Sequence, residues 1–173
     1  MKTYLTYGFG IALLGFIWTL IEFFTGLHSE HIGVESYARM AFLIVAFIGL
    51  WLGIKNIRET SEDKSLTYGR GVGAGSLISL FWAIGGAVGS FIYVSFINPG
   101  FIDAMVELQT SKLEAKGISS QIIDAQISMM RKMMTPIPSA IFAIIFIFFT
   151  GFVFSLIIAA ILKRAPKETI TSV

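Results

Sequence analysis

The stretch GVGAGSLISLFWAIGGAVGSFIYVSFINPGFI, residues 71–102, decides the fold because its 32 residues contain no Asp, Glu, Lys or Arg. A helix that spans a bilayer needs about 20 mainly apolar residues, so this run is long enough to cross. Charge-free runs also occupy residues 3–21, 40–54 and 133–162. The run at 40–54 reaches a spanning length if its helix begins near Tyr37 and Arg39 extends toward the interface. The sequence therefore predicts four membrane-spanning helices.

The composition of the whole chain also favours a lipid environment. Of the 173 residues, 55% are hydrophobic and 14% are charged, whereas a typical soluble domain is about 25% charged. A soluble domain of this length cannot bury so much apolar surface. The net charge of +2 and the absence of a basic run argue against nucleic acid as a partner, and the absence of cysteine excludes disulfides and thiolate metal sites.

The expected architecture is an all-α integral membrane protein that forms a single membrane domain over residues 1–173. We place its spans at about residues 4–27, 37–54, 67–97 and 136–162. The less apolar residues 99–134 predict an extramembrane helical hairpin between the third and fourth spans. Its first helix should end at Lys116 with Gly117 in the left-handed conformation, and its second should begin with Ser119 as N-cap.

The distribution of basic residues predicts the orientation. The N-terminus, the loop at 55–70 and the C-terminal tail carry eight of the 13 Lys and Arg residues, and the two opposite loops carry five. The positive-inside rule therefore predicts a multi-pass protein of the inner membrane with both termini in the cytoplasm.

The glycines at the start of the third span do not form a nucleotide site. A phosphate-binding loop follows a strand and has different spacing, whereas here a charged loop precedes the glycines and a hydrophobic span follows them. Small residues instead recur every three or four positions, which gives the helix one small face. Such faces let membrane helices approach closely, and they also line substrate routes. The helix-packing residues that we predict are Gly71, Gly75, Ser79, Ala83, Gly86 and Ser90 in the third span and Gly151 and Ser155 in the fourth.

Glu22 is the one acid well inside a predicted span, and it lies on the small face of the first span. An acid at such a depth needs a partner because a charge in the membrane is costly. Arg39 is the cation within reach, and His28 is a second candidate. A structural pair, a protonated acid and a proton or cation site remain alternatives for Glu22.

The sequence offers little else that carries chemistry. His28 and His31, with Glu30 and Glu35, have only weak metal-site spacing, so we expect solvated loop residues and no metal. Trp and Tyr residues near the span ends are typical of interfacial anchors. We find no nucleophile–base pair and no cofactor motif, and we expect a protein that is not an enzyme.

Five segments give the chain a family resemblance. They are IKNIRE at 54–59, LTYGRGVGAG at 66–75, INPGFIDAM at 97–105, LEAKGIS at 113–119 and LKR at 162–164. The chain resembles the bacterial four-span membrane proteins grouped as domain of unknown function 4199. The resemblance implies an inner-membrane protein, and it implies no activity.

These observations favour the first of three functions, and the second is its main alternative. The first is a non-catalytic accessory, assembly or envelope-associated protein, whose partners are the lipid bilayer and either a second copy of the chain or another membrane protein. The second is a small oligomeric transporter or channel with Glu22 as the ion- or proton-coupling group. The third, an enzyme acting on lipid, requires Glu22, Arg39 or His28 to lie close enough together for acid–base work.

Overall fold

The computed structural model describes residues 1–28 and 35–165, the side chains of residues 35 and 36 excepted. Within these ranges the chain is helical, and its one pair of bridged backbone segments is the isolated antiparallel bridge between Leu66 and Arg164. The helices are α1 (Lys2–Phe24), α2 (Glu35–Glu59), α3 (Tyr68–Ile92), α4 (Phe101–Ala115), α5 (Ser120–Met133) and α6 (Pro136–Leu162). Much of the predicted first outer loop, including Glu30 and His31, lies outside the described residues.

Four of these helices are long and apolar enough to cross a membrane, as the sequence predicts. The boundaries differ from the prediction at two places. Helix α1 ends at Phe24, because the next residues form a turn in which Gly26 has a φ of 75°. Helix α2 continues to Glu59, five residues past the apolar run, because Lys, Arg and Glu are good helix formers in water.

The third candidate span consists of α3 and a π-helical turn, Tyr93–Ile97. Thr67 is the N-cap of α3, and its hydroxyl oxygen accepts a hydrogen bond from the backbone N–H of Arg70. The π-helical turn precedes Asn98 and Pro99, and proline cannot continue a helix because it lacks the N–H and clashes with the preceding turn. Wider turns of this kind are frequent at functional sites.

Helices α3 and α6 form an interlocking interface. Gly75 faces Ser155, and Gly151 faces Ser79. A Cβ atom built at Gly75 would lie 2.5 Å from the Cβ of Ser155, and one built at Gly151 would lie 2.6 Å from the Cβ of Ser79. Both serine hydroxyls donate to backbone carbonyls of their own helices, so neither leaves an unpaired group in the interface. Each glycine therefore provides the space that the serine of the other helix occupies.

The loop between α2 and α3 connects to the end of α6. The backbone N–H of Leu66 donates to the carbonyl of Arg164 at 3.0 Å, and the N–H of Arg164 donates to Leu66 at 2.9 Å. Within this loop the Asp63 carboxylate accepts from the backbone N–H of Ser65. Hydrogen bonds from Ser65 hold the pKa of Asp63 below its usual value. The start of α3 and the end of α6 are thus fixed side by side.

Helix α1 packs closely on both α2 and α3. A Cβ atom built at Gly8 would lie 2.7 Å from the backbone oxygen of Ile78, and one built at Gly49 would lie 2.7 Å from Cγ1 of Ile11. The core between the helices contains fully buried Leu50, Ile54 and Ile78. Close backbone approach at small residues is the usual way for membrane helices to associate, because lipid supplies little hydrophobic driving force.

Helices α4 and α5 are joined by a short turn in which Gly117 has a φ of 70°, as predicted. Arg131 near the end of α5 donates to Asp103 near the start of α4 at 2.6 Å. Ser119 is the N-cap residue of α5, but its side chain makes no cap hydrogen bond. The extramembrane position of this pair of helices stays a prediction.

Candidate functional site

The carboxylate of Glu22 lies in the interior of the bundle near the end of α1, and only 6% of the residue is exposed. The indole Nε1 of Trp18, one turn earlier, donates to Oε1 at 2.8 Å. The imidazole Nε2 of His28 lies 3.3 Å from Oε2. Both carboxylate oxygens therefore have a partner, as a buried acid requires.

The turn after α1 brings His28 back to Glu22. The backbone N–H groups of Gly26 and Leu27 donate to the carbonyls of Phe23 and Glu22. Gly26 can adopt the positive φ of this turn because it has no Cβ atom. We expected His28 to be a solvated loop residue, and that expectation is wrong: the residue is 4% exposed.

Tyr93 and Asn98, which follow α3 in the chain, continue the polar cluster. The Tyr93 hydroxyl lies 2.5 Å from Nδ1 of His28, and Nδ2 of Asn98 donates to the same hydroxyl at 2.9 Å. Tyr93 opens the π-helical turn, and Asn98 immediately follows it. We call the four side chains of Glu22, His28, Tyr93 and Asn98 the Glu22 network.

Aromatic rings close the site on the side of α4. Phe101, the first residue of α4, lies with its ring centroid 4.9 Å from that of His28 and 5.8 Å from that of Tyr93. The ring of Phe23 packs edge-on against Tyr93 at 6.1 Å. These rings shield the hydrogen bonds from solvent, and a low local dielectric strengthens such bonds.

A cavity of about 330 Å³ extends from the Glu22 network into the bundle. Helices α1, α2, α3 and α6 all contribute to its wall, which is mostly apolar. Ala12 and Trp82 line it near the middle of their helices, and Glu22 and His28 line it at the end of α1. Between residues 12 and 22 a helix rises by about 15 Å. The cavity is therefore an apolar recess with a polar end.

The predicted packing residues of α3 form two overlapping groups, and Gly86 belongs to both because a Cβ atom there would lie 2.6 Å from Cδ1 of Ile147 on α6. Gly71 and Gly75 lie against α6, where Gly71 faces Ala159. Gly86 and Ser90, further along the same face, line the cavity. Ala83, between the groups, is fully buried. The small face thus takes part both in close packing and in forming the recess, the two uses that the sequence left open.

Arg39, the other predicted partner of Glu22, lines the same cavity. Its side chain is exposed, and the ion pair of Glu22 that the structure describes is the one with His28. Among the described residues, no group of three or more His, Asp or Glu side chains is arranged to hold a metal ion. His31 and Glu30, and the side chain of Glu35, lie outside that part of the chain.

The roles of Trp18, Tyr93 and Asn98 were not predicted from the sequence. Trp18 and Tyr93 fitted the pattern of interfacial anchors, although the spacing of four between Trp18 and Glu22 already indicates a contact on one helix face. No local signal identified Tyr93, because its partner His28 is 65 positions away in the chain.

Comparison with known proteins identifies one related family. The model of the family described as "Protein of unknown function (DUF4199)" matches residues 6–164. No curated protein and no solved structure shows significant similarity to the chain.

Proposed function

The chain belongs to the DUF4199 family, and from that premise we propose that it is a multi-pass inner-membrane protein that binds a proton reversibly at the Glu22 network. In this proposal both termini lie in the cytoplasm, and the protein has no catalytic activity. The observation that carries the proposal is a cavity within the bundle that reaches a buried carboxylate paired with a histidine.

The directions of the hydrogen bonds explain how the network accepts a proton. Asn98 donates to the Tyr93 oxygen, so we assign the Tyr93 hydroxyl hydrogen to Nδ1 of His28. His28 then carries its hydrogen on Nε2 and directs it to Glu22. In this state the network has one negative charge, and one added proton makes it neutral. Because the same partners serve both states, proton uptake needs little rearrangement.

A single chain with four spanning helices encloses only a narrow route. We therefore assign the coupling role to a homo-oligomer that acts as a small transporter or channel in the lipid bilayer.

The geometry also supports the absence of catalysis. Glu22 and His28 are close enough for acid–base work, so distance alone does not exclude it. However, Tyr93 and Glu22 occupy the two ring nitrogens of His28. The nearby hydroxyl of Thr19 donates to the carbonyl of Gly15 in its own helix. The hydroxyl directed at this imidazole is that of Tyr93, and because it is buried and also accepts from Asn98 we assign it a structural role and not that of a nucleophile.

The test is infrared spectroscopy of the purified protein in neutral detergent over a range of pH. We expect a protonated-carboxyl band that disappears as the pH rises and that is absent from Glu22→Gln. Glu107→Gln is the control, because Glu107 is exposed on α4. An unchanged band in Glu22→Gln would remove the proposal.

Flux measurements test the coupling role separately. Vesicles with the reconstituted protein should dissipate a pH gradient faster than empty vesicles, and Glu22→Gln should abolish the difference. If the variant conducts as well as the wild type, Glu22 is not the coupling group.

An accessory or assembly role is the second candidate, because α5 exposes Met129 and Ile122. Methionine side chains adapt readily to a partner surface. Crosslinking from residue 129 in native membranes should then recover one defined protein or a second copy of the chain. Recovery of lipid alone would contradict this role.

A further inference from the structure

The cavity beside the Glu22 network has the dimensions of a ligand site. Its volume of about 330 Å³ is at the lower end of the range of roughly 300–1,000 Å³ for small-molecule pockets. Its wall is rich in aromatic side chains. Besides Tyr93, these are Phe16, Trp18, Phe42, Trp82, Phe101 and Phe146.

Aromatic faces around a buried carboxylate recognise a particular class of ligand. The negative face of an aromatic ring attracts a cation, and the attraction is stronger where water is excluded. Helix α6 contributes Ala143, Phe146, Ile147 and Thr150 to the wall, all of them uncharged. Arg39 adds a positive charge, but its side chain is exposed and is therefore better screened than the buried Glu22.

We propose that this cavity binds a small hydrophobic organic cation, an arylalkyl ammonium ion, whose charged group pairs with Glu22 in exchange for one proton. This proposal rests on the proton site proposed above. The charges balance, because the cavity keeps the same net charge whether the network holds a proton or the cation stands beside the free carboxylate. The apolar part of the ligand occupies the recess toward Trp82.

Exchange against a proton makes binding depend on pH. Among the titratable groups that the structure describes, His28 contacts Glu22, and Tyr93 and Arg39 line the same cavity; His28 shares the exchanging proton. Below the pH range in which the network loses its proton, the affinity for the cation should rise by about tenfold per pH unit, as one-proton linkage requires. Above that range it should be constant.

The experiment uses three probes of similar size on the full chain in neutral detergent micelles. They are benzyltrimethylammonium, its uncharged isostere neopentylbenzene and the anion 4-phenylbutanoate. Binding is followed by tryptophan fluorescence, because Trp82 lines the cavity and Trp51 is not among the residues that line it. We expect saturable quenching by the ammonium ion alone, a smaller signal in Trp82→Phe, in which Trp18 still lines the cavity, and an unchanged response in Trp51→Phe.

Two further measurements connect binding to Glu22. Glu22→Gln should weaken binding of the ammonium ion at least tenfold, whereas Glu107→Gln should bind as the wild type does. If Glu22→Gln does not fold, proton release by the wild type tests the exchange instead. Addition of the ammonium ion to a weakly buffered sample of the wild type should release about one proton per site.

Each alternative outcome has a defined meaning. Equal binding of neopentylbenzene would show that charge is not recognised, and preference for 4-phenylbutanoate would show that Arg39 governs the site; either result overturns this inference. If the carboxyl band of Glu22 titrates but the ammonium ion neither binds nor releases a proton, this inference fails and the proton site stands. If the band is also missing, both proposals fail.

Discussion

The substitution Gly75→Ala tests the interlocking interface of α3 and α6. The added methyl group would lie 2.5 Å from the Cβ of Ser155 and 2.9 Å from Cδ1 of Ile54. Carbon atoms pack best at roughly 3.5–4.0 Å, so the two helices must separate by about 1 Å or distort. Overpacking of this kind costs about 1–3 kcal/mol.

Gly73→Ala is the matched control on the same helix. A Cβ atom at Gly73 meets nothing within 4 Å, so the change affects only the conformational preference of the chain. Alanine is the better helix former by up to about 1 kcal/mol, and this effect is common to both variants. The free energy of unfolding should therefore be lower for Gly75→Ala than for Gly73→Ala by about 1–3 kcal/mol.

The assay is equilibrium unfolding in mixed micelles with increasing dodecyl sulfate, followed by circular dichroism. A second substitution, Ser155→Gly, removes the side-chain atoms that lie nearest to the new methyl group. In a double-mutant cycle the two changes should therefore be coupled favourably, by about 0.5–3 kcal/mol. If the free energies of unfolding of Gly75→Ala and Gly73→Ala agree within about 0.5 kcal/mol, the close contact between Gly75 and Ser155 does not constrain the interface.

Three further predictions use the same unfolding assay. Tyr93→Phe removes the hydroxyl that forms hydrogen bonds with His28 and Asn98. It should lower the free energy of unfolding by about 1–3 kcal/mol, because buried polar groups lose a partner. Gly117→Ala should lower the free energy of unfolding by about 1–2 kcal/mol, because alanine disfavours a left-handed conformation. An unchanged free energy of unfolding would contradict the left-handed conformation of Gly117. The stabilisation from Asp63 should be present above its ordinary pKa of about 3.9 and should decline as the pH falls through the lower folded-state pKa, whereas Asp63→Asn should lack this dependence.

Much of the fold follows from local properties of the sequence. The charge-free runs predict the four apolar helices because span length and charge are properties of single segments. The end of α2 was misplaced because the charged residues at 55–59 were interpreted as a loop, although such residues continue a helix readily once it leaves the apolar region. The predicted family is confirmed by the match over residues 6–164.

The candidate site was only partly predictable. The spacing of small residues every three or four positions is enough to place Glu22 on the face of α1 that contacts other helices, because that inference depends only on the helical repeat within α1. The burial of His28 depends on the turn at Gly26 and on rings from Tyr93 and Phe101, which are distant in the sequence. Contacts of this kind arise from tertiary packing, and a single sequence carries no local signal for them.

The order of synthesis gives the α3–α6 interface a consequence for assembly. Helix α6 follows α3 by more than 40 residues, and at roughly 5–20 residues per second its arrival is delayed by several seconds. In the proposed membrane topology, the face of α3 that contains Gly71 and Gly75 is not covered by α6 during that interval. A nascent chain stalled before residue 136 should therefore expose this face, and a cysteine placed at residue 75 should label with a lipid-soluble maleimide until α6 has been inserted.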